Sequence, residues 1–278
     1  MTSLAERAER LRALHRPGRP LLLPNAWDPP SAAAVATAGF AAVATSSAAV
    51  ANSIGHRDGQ HTPAAEMFAA VARISAAAGE LPVTADIEAG YGLEAKDLVA
   101  ELLAAGAVGC NLEDSDPASQ QLVDPEAQAE RLAAVRAVAD AAGVPLVINA
   151  RVDVFLPGRR GAGPDTGAGT DPGAGAGAGA GADPADLLAD AIARGRRYLA
   201  AGADCVYPIL VKDAATIGAL VDGIGGPVNA MTFPGAPDLA ELAALGVARV
   251  SFGSGLHREM LTWLRTRLDE IAECQQPG

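Results

Sequence analysis

Charged side chains close several short apolar runs of this 278-residue sequence. The run "VTADIE" ends with Asp86 and Glu88, and the run "VGCNLED" ends with Glu113 and Asp114. A third run, "PLVINAR", ends with the cation Arg151. Because parallel strands present their carboxyl ends at one edge of a sheet, three such runs would bring these charges together.

Carboxylates gathered in this way repel one another and lose hydration unless a cation lies between them. Mg²⁺ prefers oxygen ligands, keeps several waters and takes few direct carboxylates. Neither His nor Cys occurs among these positions, which argues against zinc. The predicted cofactor is therefore Mg²⁺, with Mn²⁺ as the alternative. The competing interpretation is that the acids are ordinary solvated loop residues.

Arg151 suits a carboxylate ligand because its guanidinium forms paired hydrogen bonds. A metal beside such an arginine predicts a small 2-oxo or dianionic acid as the ligand. Polar residues also follow other apolar runs, and Asp58 lies on the loop after the second run. The predicted ligand-binding set is Thr45, Ser46, Ser47, Asp86, Arg151 and Asn229.

Eight apolar runs alternate with Ala- and Leu-rich helical patterns, which predicts an α/β fold of the (β/α)8 TIM barrel type. The alternative is a doubly wound open sheet, but "PNAWDPP" after the first run is not its glycine-rich fingerprint. Helix starts are predicted at Thr62, which precedes a proline, and at Asp124 followed by Pro125. In a barrel, chemistry lies at the carboxyl ends of the strands, where the acids are.

The chain is predicted to be a single domain, residues 1–278, with an insertion of Gly and Ala at about 158–184. Such low-complexity sequence buries too few side chains to offset its ordering entropy, so the insertion is predicted to be flexible. The sequence alone leaves open whether the insertion covers the site.

Composition excludes several classes of protein. The net charge of −12 argues against nucleic-acid binding, which needs clustered Lys and Arg. Three cysteines without a CxxC pair do not form a disulfide framework, and Cys110 is predicted to be a buried core thiol. Neither a secretory signal nor a membrane-spanning apolar run is visible, so a cytoplasmic protein without membrane contact is expected.

The motifs together resemble a known family. The stretches "VATSSAAVANSIGHRDG", "TADIEAGYG", "NLEDSD", "INARVDVFL", "AGADCVYP" and "PVNAM" are similar to the isocitrate lyase / phosphoenolpyruvate mutase superfamily, over about residues 20 to 270 without the insertion. The resemblance implies a (β/α)8 barrel that binds Mg²⁺ and 2-oxo acids and makes or breaks C–C or P–C bonds. It also implies a homo-oligomer, dimer or tetramer, in which the C-terminal helix swaps between barrels.

The resemblance assigns roles residue by residue. Asp86 matches the direct Mg²⁺ ligand, and Glu88, Asp58 and Glu113 match further acids of the metal shell. Arg151 matches the substrate arginine, and Ser46 matches the serine that holds the substrate carboxylate. The predicted catalytic residues are Arg151, Asp58 and Tyr91. Tyr91 is a candidate acid near the metal, with packing of the turn as the alternative, and His56 is a weaker candidate.

The sequence departs from this family in one loop. Lyase branches carry a Cys as acid/base after the fourth strand, whereas "EDSDPASQQLVDPEAQAERL" contains no Lys, Cys or His. Three functions therefore remain open. The first is a Mg²⁺-dependent C–C lyase acting on a 2-oxo or 2-hydroxy (di)carboxylic acid through an enolate. The second is an oxaloacetate-type decarboxylase or a C–P enzyme, and the third is a degenerate 2-oxo acid binding protein.

Overall fold

The computed structural model describes residues 2–158 and 183–274. Within them, parallel strands alternate with helices. The strands are β1 (Leu21–Leu23), β2 (Asn25–Ala26), β3 (Val43–Thr45), β4 (Val83–Asp86), β5 (Gly109–Glu113), β6 (Val147–Val152), β7 (Cys205–Pro208), β8 (Asn229–Met231) and β9 (Arg249–Ser251).

The strands close into a barrel. β1 and β2 are one run interrupted at Pro24, and this run pairs with β9 on one side and with β3 on the other. Pairing continues from β3 to β7, and a parallel bridge between Val206 and Val228 joins β7 to β8, which pairs with β9. Because the first and last strands are neighbours, an open doubly wound sheet is excluded. The predicted (β/α)8 barrel is confirmed, with its first strand split in two.

The helices are α1 (Leu4–Ala13), α2 (Pro29–Thr37), α3 (Ser47–Ser53), α4 (Ala64–Ala78), α5 (Ala95–Ala104), α6 (Pro125–Ala141), α7 (Pro184–Ala200), α8 (Ala214–Ile224), α9 (Leu239–Ala244) and α10 (Gly255–Glu273). The Asp124 carboxylate accepts the Glu126 and Ala127 amides and caps α6, as the sequence predicted. The prediction for Thr62 was wrong. Pro63 precedes α4 without a side-chain cap, and the buried Thr62 hydroxyl has no hydrogen-bond partner among the residues that the structure describes.

Helix α1 covers the amino-terminal end of the barrel. Its Leu11 packs into a cluster with interior residues that include Leu23 and Val147. At the same end, Asp204 accepts Arg12 Nε at 2.7 Å and Arg136 Nη2 at 2.5 Å. The same carboxylate accepts the Ile148 amide at 2.8 Å. This end is therefore closed by apolar packing and by an acid with two guanidinium partners.

Helix α10 follows the last strand and presents an apolar face to solvent. Trp263 is 67% exposed and Leu268 54% exposed, while His257 is the buried residue of this helix. None of the helices in the described part of the chain is both long enough and apolar enough to cross a membrane. Of the predicted insertion, residues 159–182 lie outside the described residues.

Candidate functional site

The carboxyl ends of β3 to β6 bring the predicted acids together at one rim. Parallel register pairs Asp86 with Asn111, and Glu113 with Arg151. Since side chains of paired residues point to the same side of a sheet, Glu113 and Arg151 both face the barrel interior. The loop that carries Asp58 and the turn that carries Glu88 bring two further carboxylates to this rim.

Asp86 is held by strand β3 and the start of α3. Its backbone amide donates to Thr45 Oγ1 at 2.9 Å. Its Oδ2 accepts the Ser47 amide at 3.1 Å and the Ser47 hydroxyl at 2.9 Å. Its Oδ1 is buried and has no hydrogen-bond partner within the described residues. One carboxylate oxygen is therefore fixed by the protein, and the other is left available at the rim.

Glu88 lies in a strained turn directly after β4. Its φ is 50° and that of Tyr91 is 54°, a left-handed conformation that non-glycine residues adopt at a cost. The Glu88 carboxylate accepts the Tyr91 hydroxyl at 2.9 Å and the Gln60 amide at 2.5 Å. Gly90 in the same turn has a φ of 81°, and a Cβ there would meet the Arg131 guanidinium at 2.5 Å. The turn is thus built to aim Glu88 at the rim.

Asp58 reaches the rim from the loop after α3. The residue as a whole is exposed, and its carboxylate lies near Asp86 and Ser47. Loss of hydration raises the pKa of Asp58, and the nearby Asp86 carboxylate raises it further. His56 of the same loop is not part of this group, because it pairs with Glu66 at 2.9 Å.

Arg151 is the cation of this rim. Its Nη2 lies 2.7 Å from Glu113 Oε2, and its Nε donates to Asp153 Oδ1 at 2.6 Å. Burial alone would lower the pKa of Arg151, but the Asp153 and Glu113 carboxylates raise it well above its usual value. Arg151 therefore stays charged and is fixed in orientation between two acids.

The rim carries more negative than positive charge. Burial raises the pKa of Glu88 to about 7, and Asp58 and Asp86 contribute to the rise. Burial also raises the pKa of Glu113 well above its usual value, with Arg151 opposing the change. Arg249, at the start of β9, adds a second guanidinium near Asp86. Five carboxylates of the described residues thus share two guanidinium groups: Asp58, Asp86, Glu88, Glu113 and Asp153.

These residues fit a hard divalent cation. Within the described residues, no three carboxylate, imidazole or thiolate groups are already gathered around one point as ligands. Mg²⁺ needs no such cage, because it takes one or two carboxylates and keeps its waters. The unpartnered Oδ1 of Asp86 suits a direct ligand, and the raised pKa of Glu88 shows that added positive charge would be stabilised here.

Thr45 and Ser46 lie at the same end, whereas Asn229 is the first residue of β8, in register with Arg249. The Ser46 side chain accepts the Ala49 amide at 3.4 Å and caps α3, while the fully buried Thr45 supports Asp86. Asn229 is also fully buried, and its Nδ2 donates to Ser251 Oγ at 3.1 Å. Contact between these side chains and a ligand stays a prediction.

The structure adds two interior residues that sequence reasoning missed. Tyr207 is paired in register with Arg151 and is buried, and burial raises the pKa of its phenol. Arg249 is 1% exposed and donates to Asn111 Oδ1 at 3.0 Å, while its Nε and Nη1 have no partner in the described residues. A charged residue at the start of a strand was the available signal for Arg249.

The loop after β5 is compact. An antiparallel bridge joins Ser115 to Leu122, and the Asp116 amide donates to the Gln121 carbonyl at 2.9 Å. Arg194 of α7 donates to the Val123 carbonyl at 2.9 Å. Cys110 lies inside β5 rather than on this loop, and burial raises its pKa to about 12. A Cys acid/base at this loop is therefore absent from the described residues.

An eight-stranded parallel barrel with acids and an arginine at its carboxyl-terminal rim defines a class of barrel enzymes. The sequence model of the phosphoenolpyruvate phosphomutase family matches residues 11–272. The chain belongs to this family, whose members are lyases and mutases that cleave C–C or C–P bonds of small acids and generally depend on a divalent metal. It is an enzyme of this lyase and mutase type.

Individual relatives agree with this assignment. An uncharacterised Mycobacterium tuberculosis protein is 34% identical over 242 residues, which cover 87% of this chain and 80% of that protein. A provisionally assigned phosphonomutase from Burkholderia cenocepacia is 38% identical, with a TM-score of 0.83 over 96% of this chain and 99% of that one. Oxaloacetate acetylhydrolase with bound oxalate has a TM-score of 0.80 at 18% identity, over 100% of this chain and 90% of that one, and shows the fold alone.

Proposed function

We propose that this protein is a Mg²⁺-dependent lyase that breaks a C–C bond of a small 2-oxo or 2-hydroxy (di)carboxylic acid through an enolate. The observation that carries the proposal is the charge of the rim, where five carboxylates lie around Arg151 and the buried Oδ1 of Asp86 has no hydrogen-bond partner in the described part of the chain. Burying these acids without a cation costs free energy, and such an unfavourable cluster is typical of a binding site for a cation.

Each residue of the rim would have its own role in binding the metal or the acid. Asp86 would ligate the metal directly, and Asp58, Glu88 and Glu113 would hold its waters. Bound Mg²⁺ supplies Lewis-acid polarisation of an oxo group. Arg151, fixed by Glu113 and Asp153, would bind the carboxylate of the acid. Tyr91 donates to Glu88 at 2.9 Å, so its hydroxyl is engaged in holding that acid.

A second function is favoured by the loop after β5. Residues 115–123 contain no Lys, Cys or His, and the Ser115–Leu122 bridge holds the loop in a compact turn. Decarboxylation of an oxaloacetate-type acid needs mainly a site that stabilises an enolate. It can therefore proceed without an acid/base side chain on this loop. C–P bond chemistry and ligand binding without turnover are the remaining alternatives.

The test begins with metal-stripped protein. We expect Mg²⁺ to bind, and oxalate, pyruvate, oxaloacetate or phosphonopyruvate to bind only after Mg²⁺, as measured by isothermal titration calorimetry. Incubation of each acid with the Mg²⁺ form, followed by NMR of the products, separates cleavage, decarboxylation and binding alone. Absence of any Mg²⁺-dependent binding would contradict all three.

We also propose that the chain forms a homo-oligomer through α10. The large apolar side chains of this helix are exposed: Met260, Trp263, Leu264, Leu268 and Ile271. An apolar face of this kind is typical of a surface that a second subunit covers. We expect sedimentation velocity to show a dimer or tetramer, and Trp263→Glu with Leu268→Glu to yield a monomer. A wild-type monomer would overturn this proposal. A cytoplasmic location stays a prediction.

A further inference from the structure

Arg194 is a buried cation on the outer side of the barrel, apart from the rim. It lies on α7 and is 7% exposed. Its Nη1 donates to Asp114 Oδ2 at 3.1 Å, and the Tyr198 hydroxyl donates to the same oxygen at 2.8 Å. Since Asp114 follows the inward-facing Glu113, its side chain points outward to the helix layer.

Asp114 connects this outer pair to the strand that carries Arg151. Its second oxygen, Oδ1, accepts the backbone amide of Asp153 at 2.8 Å. Asp114 is fully buried, so removal of Arg194 would leave its charge without a guanidinium partner. The position of the Asp153 backbone therefore depends on a pair made outside the barrel.

Asp153 in turn sets the orientation of Arg151. Its carboxylate accepts Arg151 Nε at 2.6 Å and Nη2 at 3.1 Å. Ser115 Oγ donates to the same carboxylate at 2.5 Å. A two-point contact to a fully buried acid fixes both the position and the plane of the guanidinium.

We propose that Arg194, assisted by Tyr198, is a positioning residue that holds Arg151 in the orientation that binds the ligand carboxylate. The inference rests on the proposed function, because it presumes that Arg151 binds an acid. Arg194 contacts neither the rim nor a ligand. It acts through Asp114 and Asp153, and it also holds the end of the loop after β5 through the Val123 carbonyl.

The chain offers a matched control at the opposite end of the barrel. Arg136 lies on α6 and binds Asp204, so it is also a helix guanidinium paired with an acid next to a strand. Through Asp204, Arg136 reaches strand β6 only at the Ile148 amide, and no contact among the described residues continues from there to the Arg151 guanidinium. A general loss of stability would therefore appear in variants of either arginine, whereas loss of positioning would appear only with Arg194.

The experiment compares Arg194→Met with Arg136→Met in the full chain. We expect both to lower the melting temperature, and Arg194→Met alone to weaken Mg²⁺-dependent oxalate binding by about 10-fold or more, as loss of a supporting contact does at other sites. Arg194→Lys should recover part of the affinity. Tyr198→Phe, which keeps the ion pair, should show a smaller loss and serves if Arg194→Met does not fold.

Two results would overturn the inference. One is an oxalate affinity of Arg194→Met and Tyr198→Phe that matches wild type while stability falls. The other is a crystal structure of either variant in which Arg151 keeps both contacts to Asp153. The crystal structure also separates the two proposals. If wild type binds no acid, the proposed function fails, while the orientation of Arg151 in the variant still tests the positioning role.

Discussion

The two ends of the barrel differ in how their buried carboxylates are paired with guanidinium groups. At the amino-terminal end, Asp204 is matched by Arg12 and Arg136 and also accepts the Ile148 amide. At the carboxyl-terminal end, five acids face Arg151, and one oxygen of Asp86 has no partner in the described residues. Both ends are built from the same strands, so the contrast is not a consequence of the fold itself.

The difference indicates which end serves stability and which serves function. The Asp204 carboxylate, with two guanidinium partners, links helices α1 and α6 to the strands. Buried acids that lie close together without enough cations make the folded protein less stable once they ionise. Burial, followed by the Asp58 and Asp86 carboxylates, raises the pKa of Glu88 in this way. Barrel enzymes place chemistry at the carboxyl-terminal end and stabilising contacts at the other, and this chain follows that division.

The sharpest test of the functional end is Asp86→Asn. The amide keeps an oxygen that accepts from Ser47 but loses the charge that a metal requires. We expect the affinity for Mg²⁺ to fall by roughly 100-fold or more, since a direct ligand matters at least as much as its supporting contacts. Calorimetric titration of metal-stripped protein measures this affinity.

The matched control for Asp86→Asn is Glu101→Gln on the exposed face of α5. It removes one negative charge of the protein away from the rim, so Mg²⁺ affinity should stay at the wild-type value. Equal losses in both variants would mean that net charge, rather than a site at Asp86, attracts the metal.

At the stabilising end the expected effect is on folding. Asp204→Asn removes the carboxylate partner of Arg12 and leaves Arg136 with only the 3.7 Å pair to Asp140. Breaking a buried ion pair costs about 3 kcal/mol, and less is expected here because Arg12 is partly exposed. We expect a loss of about 2–3 kcal/mol in the free energy of unfolding, measured with urea. Oxalate affinity should remain unchanged, and a weakened affinity would mean that the two ends are coupled.

The pH dependence of stability should separate the ends as well. The pKa of Glu88 is raised from 4.5 to about 7, so the unfolded chain releases this proton first as the pH rises. Stability of metal-free protein should therefore fall between about pH 4.5 and pH 7, by on the order of 2–3 kcal/mol. Asp58 and Glu113, whose pKa values are also raised, act in the same direction.

Urea unfolding at a series of pH values measures this slope. Glu88→Gln should reduce it, and saturating Mg²⁺ should reduce it too, because the metal stabilises the ionised acids. A metal-free stability that rises from pH 5 to pH 7 would show that the rim acids do not repel one another in the folded protein.

Sequence reasoning reached the barrel and its acidic rim because both depend on local patterns. Buried parallel strands read as apolar runs, and an acid at the end of such a run is visible without knowledge of packing. Asp86, Glu88, Glu113 and Arg151 are therefore found by position alone. Thr62 was misassigned because a Thr–Pro pair suits a cap, while Pro63 itself occupies the cap position before α4.

The residues that sequence reasoning missed depend on contacts between distant segments. Arg249 lies inside the barrel and reaches Asn111, which is 138 residues away in the chain. Arg194 supports Arg151 through Asp114, and this route runs from a helix through one strand to the next. The charge at the start of a strand was the signal for Arg249, but its partner Asn111 and the route from Arg194 could be found only from the fold.

The smallest expected effect concerns Tyr91, which distinguishes support of the rim from chemistry on it. Its hydroxyl donates to Glu88 Oε1, and this bond lowers the pKa of Glu88 against the larger effect of burial. Tyr91→Phe removes one hydrogen bond to Glu88, which is worth about 1.5–3 kcal/mol when the carboxylate is ionised. The loss is smaller when a bound metal also stabilises that carboxylate. We expect less than about 10-fold loss of Mg²⁺ affinity and little change in turnover of any acid found to react.

If Tyr91 instead donates a proton to the reacting acid, turnover should fall by about 100-fold or more while affinity is kept, because general acid catalysis contributes at least that much. Steady-state kinetics beside calorimetry on the same variant decide between the two roles.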